Sequence, residues 1–267
     1  MLHLRSRGAA IAVTATLALS AVLVGCSSGD DEAAARTKLT VCSDIPYEPM
    51  EFPAEKGATP SGYTGFDIDL AQQIADKADR TLVVKVTAFD GIFAAMDAGK
   101  CDAVVSSVTI TDERKQNMAF TAPYFNSDQS ILVKKDKAAD YATLADLKNT
   151  KIGVQSGTTG EEYVKSNQPE GSTITALSGA ADLFAALDAG TIDAIVQDYP
   201  INAYRATQNN TVVLSERIPT GEQYGIAVKT GNDEVLELFN NGLSAAKADG
   251  SYEKLYVKYF GQKPPTS

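Results

Sequence analysis

Residues 92–105 read IFAAMDAGKCDAVV, and residues 183–196 repeat this stretch as LFAALDAGTIDAIV. Nine of the 14 positions are identical, at a constant shift of 91 residues. In each copy, apolar residues at helical spacing are followed by Ala-Gly, which is typical of a helix end, and then by a short apolar run that favours a buried strand. The chain therefore contains one helix–strand unit twice, which predicts two similar halves.

A second, shorter repeat opens each half. Residues 37–43 read TKLTVCS and residues 150–156 read TKIGVQS, each a β-rich run after a polar stretch. Each half then alternates strands with helices, an order that is typical of parallel sheets covered by helices. We therefore expect an α/β protein with two lobes, each a mainly parallel sheet flanked by helices.

An amphipathic pattern predicts a helix over residues 65–79. It places Phe66, Leu70 and Ile74 on the buried stripe and Asp67 on the solvent side. Other periodic segments predict strands at residues 81–89 and 130–134 and two closing helices at residues 233–247 and 252–260.

We expect the chain to cross between the lobes twice, near residues 125–130 and 222–225. The first lobe then comprises residues 37–126 and 225–264, and the second lobe comprises residues 127–224.

The N-terminal residues are typical of a secretory signal. Residues 1–7 contain two Arg and no acid, and the apolar run that follows is shorter than the about 20 residues of a spanning helix. This run ends in Leu23-Val24-Gly25-Cys26, which resembles the bacterial lipoprotein processing site. The resemblance implies removal of residues 1–25, lipidation of Cys26 and a flexible tether over residues 26–36; ordinary signal cleavage beside an incidental Cys is the alternative. We expect an exported protein, lipid-anchored at the outer face of the cell membrane or in the periplasm.

Beyond Cys26, the cysteines are Cys42 and Cys101. An exported protein could pair them. However, Cys42 lies late in one predicted strand and Cys101 at the very start of another. In parallel neighbouring strands their Cα atoms would be farther apart than the roughly 7 Å limit of a disulfide. We therefore expect two buried thiols.

The composition excludes several classes of function. The chain has 24 basic and 34 acidic residues, a net charge of -10, which argues against a nucleic-acid partner. The single histidine is His3, so the body of the chain lacks histidine for acid–base catalysis or for metal ligation. We expect no metal, no cofactor and no catalytic residue.

In open parallel sheets, ligands bind beyond the carboxyl ends of the strands. The side chains expected there comprise one cation, several hydroxyls, two aromatic rings and acids from both halves: Asp44, Tyr47, Phe89, Ser106, Ser107, Thr109, Arg114, Gln155, Thr158, Thr159 and Asp198. The set is complementary to a small zwitterion. Arg114 can hold a carboxylate through two hydrogen bonds and Asp198 can hold an ammonium, while Tyr47 and Phe89 can sandwich a side chain.

Several of these residues belong to longer motifs. The chain resembles the family 3 extracellular solute-binding proteins of polar amino-acid ABC transporters at DIPYEPMEF (44–52), GFDIDL (65–70), SVTITDER (107–114), QSGT (155–158) and QD (197–198). The resemblance covers nearly all of the chain after the predicted signal. It implies the type II periplasmic-binding-protein fold, in which two lobes are joined by two hinge crossings and close on a ligand.

The resemblance also implies roles for individual residues. Ser107, Thr109 and Arg114 would bind the α-carboxylate of an amino acid, helped by Thr159, and Asp198 would bind its α-ammonium. Tyr47 and Phe89 would flank the ligand side chain, and Asp44 with Gln155 would contact its far end. A membrane permease would be the partner of a monomeric binding protein.

Asp44 bears on the choice of ligand. In relatives that bind basic amino acids, an acid there pairs with the cationic group, whereas relatives that bind glutamine can combine that acid with a Lys where this chain has Gln155. A buried Asp44 with no cation opposite would be an unpaired charge. We expect a basic L-amino acid, with glutamine or another polar neutral amino acid as the alternative. We also expect the affinity to vary little between about pH 6 and 8, because these groups have ordinary pKa values outside that range.

Other interpretations stay open at this point. Arg114 could be a solvated surface charge, Asp198 could cap a helix before Pro200, and Tyr47 could serve only packing. An exported dehydratase-like enzyme on the same fold would need an acid–base pair such as a Glu and a Lys in the crevice. The expected crevice residues include neither, so we expect a binding protein rather than an enzyme. A receptor in place of the permease is also open.

Overall fold

The computed structural model describes residues 38–265. The predicted signal peptide, Cys26 and the predicted tether lie outside the described residues. Among the helices of residues 38–265, none is both long and apolar enough to cross a membrane.

A first five-stranded sheet has the order β4-β1-β5-β12-β6. Its strands are β1 (Lys38–Ser43), β4 (Thr81–Val86), β5 (Ala103–Val104), β6 (Met118–Phe120) and β12 (Ala227–Lys229). β4, β1 and β5 are parallel, and β12 runs antiparallel to both of its neighbours. The sheet is therefore mixed, with one strand reversed.

A second five-stranded sheet has the order β9-β8-β10-β7-β11. Its strands are β7 (Phe125–Lys134), β8 (Lys151–Gln155), β9 (Thr173–Leu177), β10 (Ala194–Asp198) and β11 (Val212–Tyr224). β7 runs antiparallel to both neighbours, so the reversed strand is fourth in this order, as β12 is in the first sheet. The repeated sequence thus produces two sheets with the same plan. A short ladder joins β2 (Phe52–Pro53) to β3 (Tyr63–Thr64).

Helices cover these sheets. They are α1 (Phe66–Lys77), α2 (Phe89–Asp97), α3 (Asp112–Lys115), α4 (Thr159–Ser166), α5 (Ala180–Ala189), α6 (Tyr199–Gln208), α7 (Asp233–Ala248) and α8 (Ser251–Phe260), with single turns of 3₁₀ helix at Lys135–Lys137 and Leu144–Asp146. The predicted helix–strand unit is confirmed in both copies, as α2 with β5 and as α5 with β10.

One aspartate of the repeat anchors the central strand in each half. Asp102 accepts a hydrogen bond from the backbone N–H of Thr40 at 2.8 Å, and Asp193, its counterpart, accepts one from the N–H of Lys151 at 2.8 Å. Each aspartate also donates its own N–H to the carbonyl oxygen of that same residue. The aspartate therefore joins β5 to β1 and β10 to β8, which explains why both copies contain it.

The two passages of chain between the sheets lie side by side. Phe125, at the start of β7, pairs with Tyr224, at the end of β11, and their rings stack at a centroid distance of 5.5 Å. Phe66 packs edge-on against Phe125, with their ring centroids 5.6 Å apart. A core of aromatic side chains thus surrounds the point where the chain passes from one sheet to the other.

The predicted helix over residues 65–79 is confirmed as α1, and Phe66, Leu70 and Ile74 are buried. The expectation that Asp67 faces solvent is wrong, since it is only 1% exposed. The first turn of α1 lies against the loop after β5, where Asp67 accepts hydrogen bonds from the N–H of Ser107 at 2.7 Å and from the hydroxyl of Tyr124 at 2.8 Å. Helical periodicity cannot reveal contacts with residues so distant in the chain.

The expectation of two free thiols is also wrong. Cys42 and Cys101 form a disulfide with a Cα–Cα distance of 5.7 Å. β5 begins only at Ala103, so Cys101 does not lie on the line of that strand. It comes from the end of α2 and packs with Ile92 and Met96 in the apolar cluster that contains Cys42. The two sulfur atoms therefore meet across the face of the sheet.

Candidate ligand-binding site

Loops that follow strands of both sheets surround a cavity of about 300 Å³. It is lined by all eleven side chains expected at the strand ends: Asp44, Tyr47, Phe89, Ser106, Ser107, Thr109, Arg114, Gln155, Thr158, Thr159 and Asp198.

Arg114 is fixed in place at one end of the cavity. Its Nη1 donates to the carbonyl oxygen of Thr109 at 2.8 Å, and its Nη2 donates to the carbonyl oxygen of Gly157 at 3.1 Å. The guanidinium lies over the rings of Phe89 and Phe93, at 5.5 and 5.3 Å from their centroids. Burial lowers the pKa of Arg114, and the nearby acids oppose this shift. The side chain is therefore a held cation rather than a solvated surface charge.

Asp198 lies buried at the end of β10. It accepts hydrogen bonds from Nε2 of Gln129 at 2.7 Å and from the hydroxyl of Tyr224 at 2.5 Å. Although Asp198 precedes the first residue of α6, its side chain makes no capping hydrogen bond. Burial raises the pKa of Asp198 to about 7, and the negative charge of Glu222 raises it further. A cation bound here would stabilise the ionised carboxylate.

Asp44 and Gln155 contact each other across the cavity. Nε2 of Gln155 donates to Oδ2 of Asp44 at 2.5 Å and to the carbonyl oxygen of Ser178 at 3.1 Å. Burial raises the pKa of Asp44 to about 6, the hydrogen bond from Gln155 opposes this, and the charge of Asp90 adds to it. Within residues 38–265, Asp44 forms no salt bridge. A ligand that brings a positive charge would supply the missing counter-ion.

Sequence reasoning missed two polar residues beside the cavity. The carboxylate of Glu222 accepts hydrogen bonds from the hydroxyls of Thr109 at 2.8 Å and Thr159 at 2.9 Å. Nε2 of Gln129 also donates to it, at 3.1 Å. Glu222 and Gln129 lie within β11 and β7, whereas only residues that follow strands were considered. Gln129 and Glu222 both lie in the predicted crossings near residues 125–130 and 222–225. Their place in these crossings is the sequence feature that could have indicated a position beside the cavity.

Like Thr109 and Thr159, the other three serine and threonine residues that line the cavity have hydrogen-bond partners within the protein. Ser106 Oγ accepts from the N–H of Asp44 at 2.9 Å and donates to Glu51 at 2.8 Å. Thr158 caps α4, because its hydroxyl accepts from the N–H of Glu161 at 3.2 Å. Ser107 makes hydrogen bonds to Asp67. These residues shape the wall of the cavity.

The two aromatic residues at the cavity have different surroundings. Tyr47 packs in the main apolar core, and burial together with the nearby charge of Asp198 raises the pKa of its hydroxyl. Phe89 begins α2 and lies in the cluster around the disulfide. Each ring therefore packs against the apolar interior and also lines the cavity.

Residues 38–265 contain no group of three or more His, Cys, Asp or Glu side chains placed to hold a metal ion.

Comparison with characterised proteins finds close matches along most of the chain. The ABC transporter arginine-binding protein 1 of Escherichia coli is 34% identical over 252 residues, which cover 92% of this chain and 99% of that protein. The histidine-binding periplasmic protein of Salmonella typhimurium is 30% identical and covers 91% of this chain and 95% of its own length.

Solved structures match as well. An ancestral arginine-binding protein bound to arginine has a TM-score of 0.79 and 39% identity, covering 85% of this chain and 99% of that one. The ancestral arginine-binding protein bound to glutamine has a TM-score of 0.77 and 37% identity, covering 85% and 99%. An ancestral amino acid-binding protein that is a precursor of cyclohexadienyl dehydratase has a TM-score of 0.76 and 39% identity, covering 86% and 98%.

These matches confirm the expected type II periplasmic-binding-protein fold. The family model that describes bacterial extracellular solute-binding proteins, family 3, matches residues 39–262. Three findings agree on one assignment. They are the motifs around Asp44, Arg114 and Asp198, the two sheets with the same strand arrangement, and the relatives that match most of the chain. The chain belongs to the bacterial extracellular solute-binding proteins, family 3.

Proposed function

We propose that this protein is the extracytoplasmic substrate-binding component of an amino-acid ABC transporter and delivers a polar L-amino acid to a membrane permease. One observation carries the proposal: a single cavity brings together the held cation Arg114 and the buried acid Asp198. A guanidinium at one place and a carboxylate at another match the two charges that every free amino acid has.

A basic side chain is the best match for the far end of the cavity. Asp44 faces an amide rather than a cation, and a ligand ammonium or guanidinium would complete an ion pair there. The arginine- and histidine-binding relatives support this choice. A glutamine ligand is the alternative, favoured by the neighbour bound to glutamine and by the ability of Gln155 to pair with an amide.

Binding by lobe closure is part of the proposal. The lobes would be residues 37–126 with 225–264 and residues 127–224, joined where β7 begins and where β11 ends. Two hydrogen bonds join residues beside different sheets, from Arg114 to Gly157 and from Gln155 to Asp44. A ligand that contacts Arg114 and Asp198 together would favour the closed state, because only that state makes both contacts.

The proposal does not include catalysis. The relatives reported above are binding proteins, and the residues that line the cavity include no Glu and no Lys. The dehydratase precursor among the structural neighbours makes an enzyme the second candidate. Incubation with a cyclic prephenate-like acid should leave it unchanged, whereas turnover would favour the enzyme.

We also propose that the protein is a monomer, exported and anchored by lipid on Cys26. Metabolic labelling with a fatty acid should label the full-length chain, and Cys26→Ser should abolish the label and release the protein. Labelling that persists in the variant would contradict the anchor.

Calorimetric titration tests the main proposal. L-arginine, L-lysine, L-ornithine and L-histidine should bind more tightly than L-glutamine. Tighter binding of glutamine would support the alternative ligand, and heat from none of the amino acids would overturn the proposed function.

A further inference from the structure

Two carboxyl side chains lie buried behind the wall of the cavity. Glu51 is 0% exposed and Asp67 is 1% exposed, and they form hydrogen bonds to the adjacent residues Ser106 and Ser107. Glu51 Oε2 and Asp67 Oδ1 are buried and have no hydrogen-bond partner in the described part of the chain. Two carboxyl groups can form a hydrogen bond with each other only if one of them carries a proton. A single proton between these two oxygens would satisfy both.

The remaining oxygens show which member is protonated. Asp67 Oδ2 accepts from the N–H of Ser107 at 2.7 Å and from the hydroxyls of Tyr124 at 2.8 Å and Ser107 at 3.3 Å. Glu51 Oε1 accepts a single hydrogen bond, from Ser106 at 2.8 Å. Three donors favour the charged form of Asp67, so the proton resides on Glu51.

The charges around the pair agree with this assignment. Asp44, Tyr47, Tyr124 and Tyr252 face the pair within residues 38–265, and none of these groups is a cation. Burial raises the pKa of Glu51 well above its ordinary value, and the negative charge of Asp67 raises it further. Hydrogen bonds from Ser107 and Tyr124 lower the pKa of Asp67 and oppose the effect of its burial.

The pair holds a turn that faces the cavity. Ser107 has a φ of 49°, in the left-handed region that residues other than glycine rarely adopt. Its N–H and hydroxyl both point to Asp67, while the hydroxyl of the adjacent Ser106 donates to Glu51 and accepts from the N–H of Asp44. The two acids thus fix both serines and the backbone at Asp44.

We propose that Glu51 and Asp67 are positioning residues that share one proton and thereby hold the Ser106–Ser107 turn in its ligand-binding conformation. Neither acid lines the cavity, so they act through the serines. The ligand-affinity part of this inference rests on the proposed function, whereas the shared proton does not.

Two substitutions at Glu51 separate this role from simple packing. In Glu51→Gln, the amide can donate to Asp67 and accept from Ser106, as the protonated acid does, so the affinity for L-arginine or L-glutamine should stay within about threefold. In Glu51→Met, a side chain of similar length leaves Asp67 Oδ1 and the Ser106 hydroxyl unpaired. The affinity should fall about tenfold or more. Equal losses in both variants would overturn the positioning role.

Infrared spectroscopy of the ligand-free protein tests the proton directly. At pH 9, above the pKa of Asp44 (about 6) and of Asp198 (about 7), the wild type should retain the carbonyl band of a protonated carboxyl group, and Glu51→Gln should lack it. Absence of the band in the wild type, or its persistence in the variant, would overturn the shared proton. The measurement needs no ligand and no Glu51→Met protein. If the wild type binds no amino acid, the proposed function and the positioning role both fail. The infrared band still shows whether Glu51 and Asp67 share a proton.

Discussion

Nη2 of Arg114 donates a hydrogen bond to the carbonyl oxygen of Gly157 at 3.1 Å. Arg114 lies in α3, between β5 and β6 of the first sheet. Gly157 lies between α4 and β8, a strand of the second sheet. The cation proposed to bind the α-carboxylate therefore also joins the two sides of the cavity. Loss of this side chain should affect both ligand affinity and closure.

Arg114→Ala should weaken amino-acid binding by about 2–5 kcal/mol, because a charge-assisted contact in a desolvated site is lost. Isothermal titration calorimetry measures this change. Lys115→Ala is the matched control, since Lys115 is exposed and, among residues 38–265, forms its salt bridge with the exposed Asp112. Wild-type affinity in Arg114→Ala would exclude the assigned role.

Asp44→Asn should change the ligand preference. Removal of the charge should lower the affinity for L-arginine about tenfold or more and leave the affinity for L-glutamine much less affected, because only the basic ligand loses an ion pair. Asp136→Asn, an exposed aspartate that does not line the cavity, serves as the control. Equal changes for both ligands would mean that Asp44 does not contact the ligand side chain.

Affinity should depend on pH near neutrality, contrary to the expectation from sequence. Burial raises the pKa of Asp198 to about 7 in the ligand-free protein, and an ammonium ligand binds its ionised form. As pH falls through 7 toward 5, a proton must be displaced before binding, so the affinity should fall, by up to about tenfold per pH unit. Above pH 8 the dependence on Asp198 should vanish. Titrations at pH 5, 6, 7 and 8 in one buffer series measure this, and a flat profile would show that the ligand does not bind to Asp198.

Removal of the disulfide should destabilise the protein. The bridge joins cysteines separated by 59 residues, and a loop of that size corresponds to about 4 kcal/mol of chain entropy in the unfolded state. Thermal unfolding of Cys42→Ser/Cys101→Ser should show a lowered Tm, and a reducing agent should lower the Tm of the wild type but not of the variant. Free thiols detected in the unreduced wild type would contradict the bridge.

Local patterns in the sequence predicted the features that depend on neighbouring residues. The repeated stretches predicted two similar sheets, and α1 follows from the spacing of Phe66, Leu70 and Ile74. The rule that ligands bind beyond strand ends brought together residues as distant as Asp44 and Asp198. Each of these inferences needs only periodicity and the direction of the strands.

What the sequence did not predict depends on contacts across the fold. Asp67 looks like a surface residue of an amphipathic helix until the loop with Ser107 is placed against it. Cys42 and Cys101 meet because α2 crosses the face of the sheet. Glu222 and Gln129 reach the cavity from within their strands. The raised pKa of Asp198 likewise comes from burial and from Glu222, neither of which is visible in a linear motif.

Asp198 receives two hydrogen bonds from the strands of the second sheet that lie next to the crossings, from Gln129 in β7 and from Tyr224 in β11. The chain contains eleven tyrosines and no tryptophan. Tyrosine emission is therefore not masked by energy transfer to an indole ring. An ammonium group that binds Asp198 should alter the hydrogen bond of the Tyr224 hydroxyl. Ligand binding should therefore change the intrinsic tyrosine fluorescence, so that binding can be measured without an added dye.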